Sequence, residues 1–289
     1  MTAFTPDESA ACRRLVELAL SEDLGSAGDR TSLALIPAHQ LGRAAFVARS
    51  EGVVAGLPAA AMVCAAVDPA LAFAPARPDG SALTRGTLLA TVAGPLRSIL
   101  AAERTALNFL QRLSGVASLT RCYVDAAAGT RAVVLDTRKT TPGWRLLEKY
   151  AVRMGGGTNH RLGLYDGVLI KDNHLAGLGG DVRRAVELAR AAPGNGGLPV
   201  EVEVDTLDQL EHALAARTDI VLLDNMTPDQ MRAAVARRNA VSPGTRLEAS
   251  GGVNLTTIAA IAATGVDRIS VGALTHSAPA LDIGLDYTT

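Results

Sequence analysis

From residue 131 onward, short apolar runs alternate with segments of helical periodicity. The apolar runs predict strands at residues 132–137, 167–171, 199–204, 219–224, 246–249 and 268–272. Between them lie helix-start signals, with capping boxes at residues 206–209 and 227–230 and further N-caps at Asp181 and Asn254. Regular strand–helix alternation predicts a parallel sheet covered by helices. Six such units are more than an open sheet needs and fewer than an eight-stranded barrel holds, so the pattern favours a barrel with a reduced strand count.

The preceding part of the chain has a mixed pattern. Helical periodicity covers residues 5–20 and 57–67, while residues 44–48 and 88–92 alternate as strands do. Residues 97–128 predict a helix that is interrupted near Ser114-Gly115. That helix carries an unusually polar stripe, formed by Glu103, Arg104, Asn108, Gln111 and Arg112. This part therefore has α+β character.

Composition and charge indicate which binding partners and which cellular compartment to expect. The 289 residues are 48% hydrophobic, which supports a sizeable core, and the formal net charge of −1 gives no overall attraction to nucleic acid or membranes. The three cysteines form no C-x-x-C pair, so we expect three buried thiols in a reducing compartment. The first residues include early acids and no apolar signal-peptide core. We therefore expect a cytoplasmic protein without nucleic-acid or membrane partners.

Cationic side chains collect where two predicted strands end and in the glycine-rich turn between them. One strand runs into Arg138 and Lys139, the turn carries His160 and Arg161, and the next strand ends in Lys171. Because chemistry in parallel α/β folds sits at the C-terminal ends of strands, these groups should converge on one pocket. Arg and Lys clusters are usually solvated faces, but this placement in a nearly neutral chain favours an anion-binding pocket.

Acidic side chains alternate with valines in the predicted strand at residues 199–204, where Glu201, Glu203 and the following Asp205 share one face. In a barrel these acids would face the lumen, whereas in a sheet with one solvated face they would face water. The local pattern leaves both possibilities open. The next strand ends in Asp224, and carboxylates at two neighbouring strand ends could hold hydroxyl groups or Mg2+.

The last two predicted strands run into small residues, Ser250-Gly251-Gly252 and Ser270-Val271-Gly272. Small residues let backbone N–H groups approach a phosphate, and the N-terminus of a following helix adds a favourable dipole. Each glycine alone is more often part of an ordinary turn. Two such loops in the final barrel positions nevertheless favour a phosphate site.

Five motifs, in this order, resemble the quinolinate phosphoribosyltransferase family. They are RKTTPG at 138–143, GGGTNHRLGL at 155–164, IKDNH at 170–174, LLDNM at 222–226 and SGG at 250–252. The resemblance is highly specific over residues 133–276 and weaker in the N-terminal third, where ERTALN at 103–108 and residues 49–56 still fit.

The resemblance implies the α/β fold of a type II phosphoribosyltransferase. Its expected parts are an N-terminal α/β sandwich (1–112), an incomplete, about six-stranded α/β barrel (113–276) and a tail (277–289) that packs on the sandwich. The implied reaction transfers phosphoribosyl from phosphoribosyl pyrophosphate (PRPP) to quinolinate with decarboxylation, giving nicotinate mononucleotide, pyrophosphate and CO2 for de novo NAD biosynthesis. Mg2+ is the implied cofactor, and a homodimer or a multiple of it, with a shared active site, is the implied assembly.

The resemblance also assigns roles to residues. Quinolinate binding would use Arg104, Thr137, Arg138, His160, Arg161 and Lys171. PRPP and phosphate binding would use Arg49, Lys139, Glu203, Asp224, Ser250, Gly251, Gly252, Val271, Gly272 and His276. Catalysis would fall to Lys139, Lys171, Glu203 and Asp224, the two acids also holding Mg2+, directly or through water. Arg104 and Arg49 would act in the site of the other subunit, and Glu203 is preferred to Glu201 for its spacing to Asp224.

Three alternatives remain at this level. A nicotinate phosphoribosyltransferase or the molybdenum-associated paralogue of the family could use the same scaffold. A non-catalytic sensor of phosphoribosyl metabolites would keep the SGG loop but need not keep Lys139, Glu203 or Asp224, and all three are present.

Overall fold

The computed structural model describes residues 4–288 of the chain. Helices are α1 Pro6–Leu24, α2 Arg30–Leu35, α3 Leu57–Val67, α4 Leu96–Ala126, α5 Arg145–Met154, α6 Asp172–Ala176, α7 Val182–Ala191, α8 Leu207–Ala215, α9 Pro228–Val241, α10 Ile258–Ala262 and α11 Ala273–His276. Strands are β1 Leu41–Ala48, β2 Gly52–Val53, β3 Ala72–Pro75, β4 Ala82–Leu83, β5 Leu88–Pro95, β6 Val133–Leu135, β7 Val168–Ile170, β8 Val200–Val204, β9 Ile220–Asp224, β10 Arg246–Ser250, β11 Arg268–Ser270 and β12 Ile283–Thr288. Among these residues, every helix is too short or too polar to cross a lipid bilayer.

One compact unit comprises the described residues up to Arg121, Thr140–Gly156 and the described residues from Leu274 onward. Its main sheet is antiparallel, with strand order β12-β1-β5-β3. The predicted helix α3 and the strands now seen as β1 and β5 are confirmed, and α1 starts at the capping box of Thr5 and Glu8. Strand β12 lies along β1, so residues near the C-terminus complete this sheet.

Helix α4 runs without a break from Leu96 to Ala126, so the predicted interruption near Ser114-Gly115 is wrong. The Ser114 hydroxyl donates to the carbonyl of Ala55 (3.1 Å) and accepts from its N–H (3.0 Å), so this polar residue is satisfied in the core. A Cβ on Gly115 would lie 2.0 Å from the carbonyl oxygen of Pro279. The glycine therefore permits close approach of another segment instead of ending the helix.

The second compact unit comprises Cys122–Lys139 and Gly157–Ala273. Its sheet has six parallel strands in the order β6-β11-β10-β9-β8-β7, and all six correspond to predicted strands. Within the described residues, β6 and β7 are the two end strands of this sheet and do not pair with each other. The sheet is therefore the incomplete α/β barrel that the sequence predicts. Because the connections are strand–helix–strand, all six C-terminal strand ends lie at the same edge.

Alternation sorts the side chains of β8 between the two faces of the sheet. Val200, Val202 and Val204 are buried, and both helices that flank the strand, α7 and α8, pack against it. Glu201 and Glu203 lie on the opposite, inward face, so for these two acids the lumen-facing possibility is correct and the solvated-face possibility is wrong. Asp205 lies beyond the end of β8 and is exposed. The register pairs Glu203 with Leu222 of β9, which brings Asp224 to the same face.

Most of the helix N-termini predicted from local capping residues are confirmed. Both predicted capping boxes form, and Asp181 accepts the N–H of Arg184 at 2.9 Å. Asn254 instead caps a turn, because α10 begins only after Thr257. Cys122 is exposed, so the expectation of three buried thiols is wrong for this residue. The domain division at residue 112 stays a prediction.

Candidate active site

A cavity of about 460 Å3 opens at the C-terminal ends of the parallel strands. The residues that line it are Thr137, Arg138, Lys139, His160, Arg161, Leu169, Lys171, Glu203, Leu222, Asp224, Glu248, Ser250 and Ser270. Every strand of the six-stranded sheet contributes to this lining, either directly or through the residues that follow it. This is the position and construction of a catalytic pocket in a parallel barrel.

The five cationic groups predicted from strand ends line this one cavity. Arg138 and Lys139 follow β6, and Lys171 follows β7. Burial lowers the pKa of Arg161, and the neighbouring charge of Arg138 lowers it further. Like charges placed this close, with little solvent, create a potential that favours a bound anion.

Asp136 fixes the turn that carries His160 and Arg161. Its buried carboxylate accepts the side-chain N–H of Asn159 at 2.6 Å and the backbone N–H of His160 at 2.9 Å. Thr158 adds a backbone hydrogen bond to Val134 of β6 at 2.9 Å. The glycine-rich turn is therefore tied to the end of β6, which places two pairs of cations beside each other.

The predicted acids Glu203 and Asp224 lie on the same cavity wall. Glu203 accepts a hydrogen bond from the Lys171 ammonium, and Asp224 accepts one from the Asn225 amide at 2.7 Å. Two carboxylates at neighbouring strand ends, with accessible oxygens, fit the ligand preference of Mg2+ for a few carboxylates and several waters.

The loop after β10 has the backbone that its glycines predict. Gly251 and Gly252 have φ values of +84° and +61°, in the left-handed region. A Cβ on Gly251 would lie 2.2 Å from Oδ1 of Asn225, so no side chain fits there without displacement. Ser250 lines the cavity, and this loop leaves its backbone free of bulky side chains.

Other predicted site residues are not among those that line the cavity: Arg49, Arg104, Gly251, Gly252, Val271, Gly272 and His276. Arg104 is exposed on α4, and Arg49 forms an ion pair with Asp286. His276 is exposed, and its Nδ1 lies 2.6 Å from the Ser277 hydroxyl. The roles assigned to these residues stay predictions.

Glu201 and Glu248 form a second acidic pair that the sequence analysis did not assign to the site. Both are buried: Glu201 is 4% exposed and Glu248 is 0% exposed. The Nε2 atom of His160 lies 3.2 Å from Glu201 Oε2 and 3.3 Å from Glu248 Oε1, and Arg268 Nε lies 2.9 Å from Glu248 Oε2. Strand alternation could have predicted this pair, because Glu201 lies on the same face of its strand as Glu203, and Glu248 lies on the same face as Ser250.

The charge of His160 follows from these neighbours. Burial disfavours the imidazolium, but hydrogen bonds to Glu201 and Glu248 outweigh burial and raise the pKa of His160 to about 9. The backbone N–H of Arg161 donates a hydrogen bond to Nδ1 of His160 at 2.7 Å, a contact that suits a neutral ring. Burial also raises the pKa of Glu201. Two buried carboxylates beside the single guanidinium of Arg268 require one further proton for charge balance, and His160 and Glu201, which are in contact, share it.

Comparison with known proteins gives one consistent result. Family models of quinolinate phosphoribosyl transferase match residues 29–114 (N-terminal domain) and 116–286 (C-terminal domain). A carboxylating nicotinate-nucleotide pyrophosphorylase of Mycobacterium leprae is 46% identical over 284 residues, which cover 96% of this chain and 98% of that protein. The solved nicotinate-nucleotide pyrophosphorylase from Francisella tularensis has a TM-score of 0.91 at 38% identity, over 99% of this chain and 98% of that one. NadC from Streptococcus pyogenes also has a TM-score of 0.91, at 42% identity over 100% of both chains.

Proposed function

Because the chain belongs to the quinolinate phosphoribosyltransferase family, we propose that it transfers phosphoribosyl from PRPP to quinolinate with decarboxylation. The products are nicotinate mononucleotide, pyrophosphate and CO2, and the reaction belongs to de novo NAD biosynthesis. The observation that supports this best is the single cavity in which five cationic groups face Glu203 and Asp224. A dianionic acceptor and a donor whose ribose develops positive charge need these two kinds of group together.

Quinolinate would bind at the cationic wall. A planar pyridine with two adjacent carboxylates suits the forked guanidinium donors of Arg138 and Arg161, which can engage carboxylates in pairs of hydrogen bonds. Lys171 and His160 would add charge, and the Thr137 hydroxyl would add a neutral donor. Nicotinate has only one carboxylate, so it would leave part of this cationic wall without a partner.

PRPP would bind along the acidic wall and the glycine loops. Glu203 and Asp224 would hold the ribose hydroxyls and Mg2+, and Mg2+ would neutralise charge on the departing pyrophosphate. Lys139 would share that task. The loop from Ser250 to Gly252 and the loop of Val271 and Gly272 would bind the 5′-phosphate through backbone N–H groups.

The chemistry requires positioning and electrostatics more than a covalent intermediate. As pyrophosphate leaves, the ribose becomes oxocarbenium-like, and carboxylates beside it stabilise the positive charge. The adduct carries a pyridinium nitrogen, which stabilises the carbanion that remains at C2 when CO2 is lost. The chain's contribution is to hold both reactants in line within a shielded pocket.

We further propose a homodimer, or a multiple of it, in which the site of each subunit is completed by its partner. Arg104 and Arg49 would serve the quinolinate and pyrophosphate of the other subunit, and His276 would assist the 5′-phosphate. Exposure of Arg104 on α4 is compatible with this role. Mixing inactive Arg104→Ala and Lys139→Ala proteins should restore part of the activity, and absence of rescue after verified subunit exchange would exclude the shared site.

We also propose a cytoplasmic location, which the absence of a C-x-x-C pair among the cysteines suits.

Release of CO2 tests the proposed reaction directly. The protein would be incubated with Mg2+, PRPP and quinolinate labelled at the 2-carboxylate, and CO2 and nicotinate mononucleotide would be measured together. Equal amounts of both products are expected, with strong loss in Arg161→Ala and none in Arg232→Ala, a surface arginine paired with Asp229. In a parallel incubation with nicotinate in place of quinolinate, consumption of nicotinate by a protein that releases no CO2 from quinolinate would support the nicotinate-specific alternative. Calorimetric binding without turnover would support a sensor.

A further inference from the structure

A buried charged group lies at the floor of the cavity, under the substrate-binding side chains. It consists of His160, Glu201, Glu248 and Arg268, contributed by the glycine-rich turn and by β8, β10 and β11. Only Glu248 and His160 of these reach the cavity lining. Thus Glu201 and Arg268 act on the cavity only through the other two residues.

The charges of this group balance. Two carboxylates at the floor of a pocket for a dianion would repel the ligand and would cost free energy when desolvated. One proton shared by His160 and Glu201, together with the guanidinium of Arg268, brings the sum of the four groups to zero. The charge beside a ligand is then set by the remaining lining residues, the cations Arg138, Arg161, Lys139 and Lys171 and the acids Glu203 and Asp224, while the four-residue floor provides orientation.

The contacts of His160 show that both its ring and its backbone are held in place. The Nε2 atom of His160 lies within ion-pairing distance of both carboxylates, 3.2 Å from Glu201 Oε2 and 3.3 Å from Glu248 Oε1. On its other side, the backbone N–H of His160 is held by Asp136 at 2.9 Å. Both the ring and the backbone of this residue are therefore fixed before any ligand binds, which lowers the entropy cost of binding.

We infer that Glu201 and Glu248 are positioning residues that hold His160 for quinolinate, and that Arg268 cancels the charge of the second carboxylate. This inference rests on the proposed function, because it concerns the quinolinate side of the same site. Neither acid needs to touch the substrate for this role. The acids would therefore affect capture of quinolinate and leave capture of PRPP unchanged.

The ligand atoms of His160, Glu201 and Glu248 lie within 4.8 Å of one another, so a divalent cation could in principle occupy the same place. The guanidinium of Arg268 already occupies one side of Glu248, and Arg138 and Arg161 lie in the adjoining cavity. Cations so placed oppose the binding of a further cation. The ion-paired arrangement is therefore the one that the geometry favours.

Steady-state kinetics of Glu248→Gln test the inference. The KM for quinolinate should rise at least about tenfold, the loss expected when a charged hydrogen-bond partner is misplaced, with the KM for PRPP within about twofold of wild type. Asp267→Asn is the matched control, since it alters a buried carboxylate at the opposite strand ends, paired with Arg238 at 2.6 Å. This control should lower thermal stability and leave both KM values unchanged.

A double-mutant cycle separates action through His160 from a direct effect. In a His160→Asn background, Glu248→Gln should change the quinolinate KM by less than about twofold. An equal rise in both backgrounds, or an unchanged KM in the single variant, would overturn the inference. If wild type itself shows no quinolinate-dependent CO2 release, the proposed function fails, and the floor is then assessed by the next measurement alone.

Nuclear magnetic resonance of the wild-type protein with 15N-labelled histidine does not depend on the variants folding. The inference expects a His160 Nε2 proton that exchanges slowly with water, because the buried carboxylates of Glu201 and Glu248 enclose it. Rapid exchange of this proton would contradict the inference. Elemental analysis showing one tightly held transition metal per chain, lost in Glu201→Gln, would overturn it in favour of a metal site.

Discussion

The buried carboxylate of Glu148 should be one of the strongest stabilising groups in its unit. Glu148 is fully buried in α5. Its Oε1 accepts hydrogen bonds from Arg112 Nη2 at 2.5 Å and the Thr141 hydroxyl at 2.8 Å, and its Oε2 accepts the Thr141 N–H at 3.0 Å. Arg112 also donates to the carbonyls of Thr275 and Ala278. The carboxylate thus joins α5 to α4 and to the loop of Thr141, and through Arg112 it also links them to residues 275–278.

The substitution Glu148→Gln keeps the shape and removes the charge. In either orientation of the amide, Arg112 loses its anionic partner, and the NH2 group faces another donor, either the Arg112 guanidinium or the Thr141 N–H. Breaking one side of a buried ion pair typically costs 3–5 kcal/mol, and the side chain of Arg112 is 26% exposed, so we expect about 3 kcal/mol. For a unit of this size that corresponds to a fall in Tm of roughly 6–12 °C.

Differential scanning calorimetry measures this directly. The matched control is Glu211→Gln, which removes the carboxylate from an exposed pair with Arg237 and should leave Tm unchanged. If Glu148→Gln shifts Tm no more than Glu211→Gln does, the buried pair contributes nothing net and the reasoning is wrong. Circular dichroism at 20 °C would check that both variants retain the fold, so that the comparison concerns stability alone.

Three other tests address separate parts of the site. The pKa of His160 is raised from 6.5 to about 9, so its contribution to stability is complete below pH 6.5 and disappears as pH rises through 9; thermal scans should show the advantage of wild type over His160→Gln shrinking across that interval. Gly251→Ala should raise the KM for PRPP and lower Tm, because φ is +84° and the added Cβ would lie 2.2 Å from Asn225 Oδ1; unchanged kinetics would argue against a phosphate loop. Arg161→Ala should weaken quinolinate capture by about 2 kcal/mol or more, seen as a raised KM; an unchanged KM would contradict its assignment.

The parallel half of the fold was predictable because its signals are local. Strands β6 to β11 are short apolar or alternating segments, and the capping boxes before α8 and α9 depend on residues three apart. The break predicted at Ser114-Gly115 failed for a non-local reason. Polarity and small size there serve Ala55 and Pro279, which are distant in sequence, and no local pattern reveals them.

The site divides in the same way. Convergence of the five cations could be predicted, because strand ends of a parallel sheet meet at one edge. The floor could not be read from sequence, since Glu201 and Glu203 are equivalent by alternation. What distinguishes them is register: Glu201 lies one layer deeper and meets His160, while Glu203 lies at the rim and meets Lys171.

Strand order explains how one cavity keeps opposite charges apart. The cations follow β6 and β7, the two end strands of the sheet, together with the turn between them, whereas Glu203 and Asp224 come from the neighbouring strands β8 and β9. If these side chains were mixed along one strand they would pair with each other and leave little charge for either reactant. Contact between the two sets occurs where β7 adjoins β8, at the hydrogen bond of Lys171 to Glu203. With the proposed roles of these residues, Lys171 would be the cation best placed to respond to both reactants, because a ligand group that draws it away would also free the Glu203 carboxylate for the ribose.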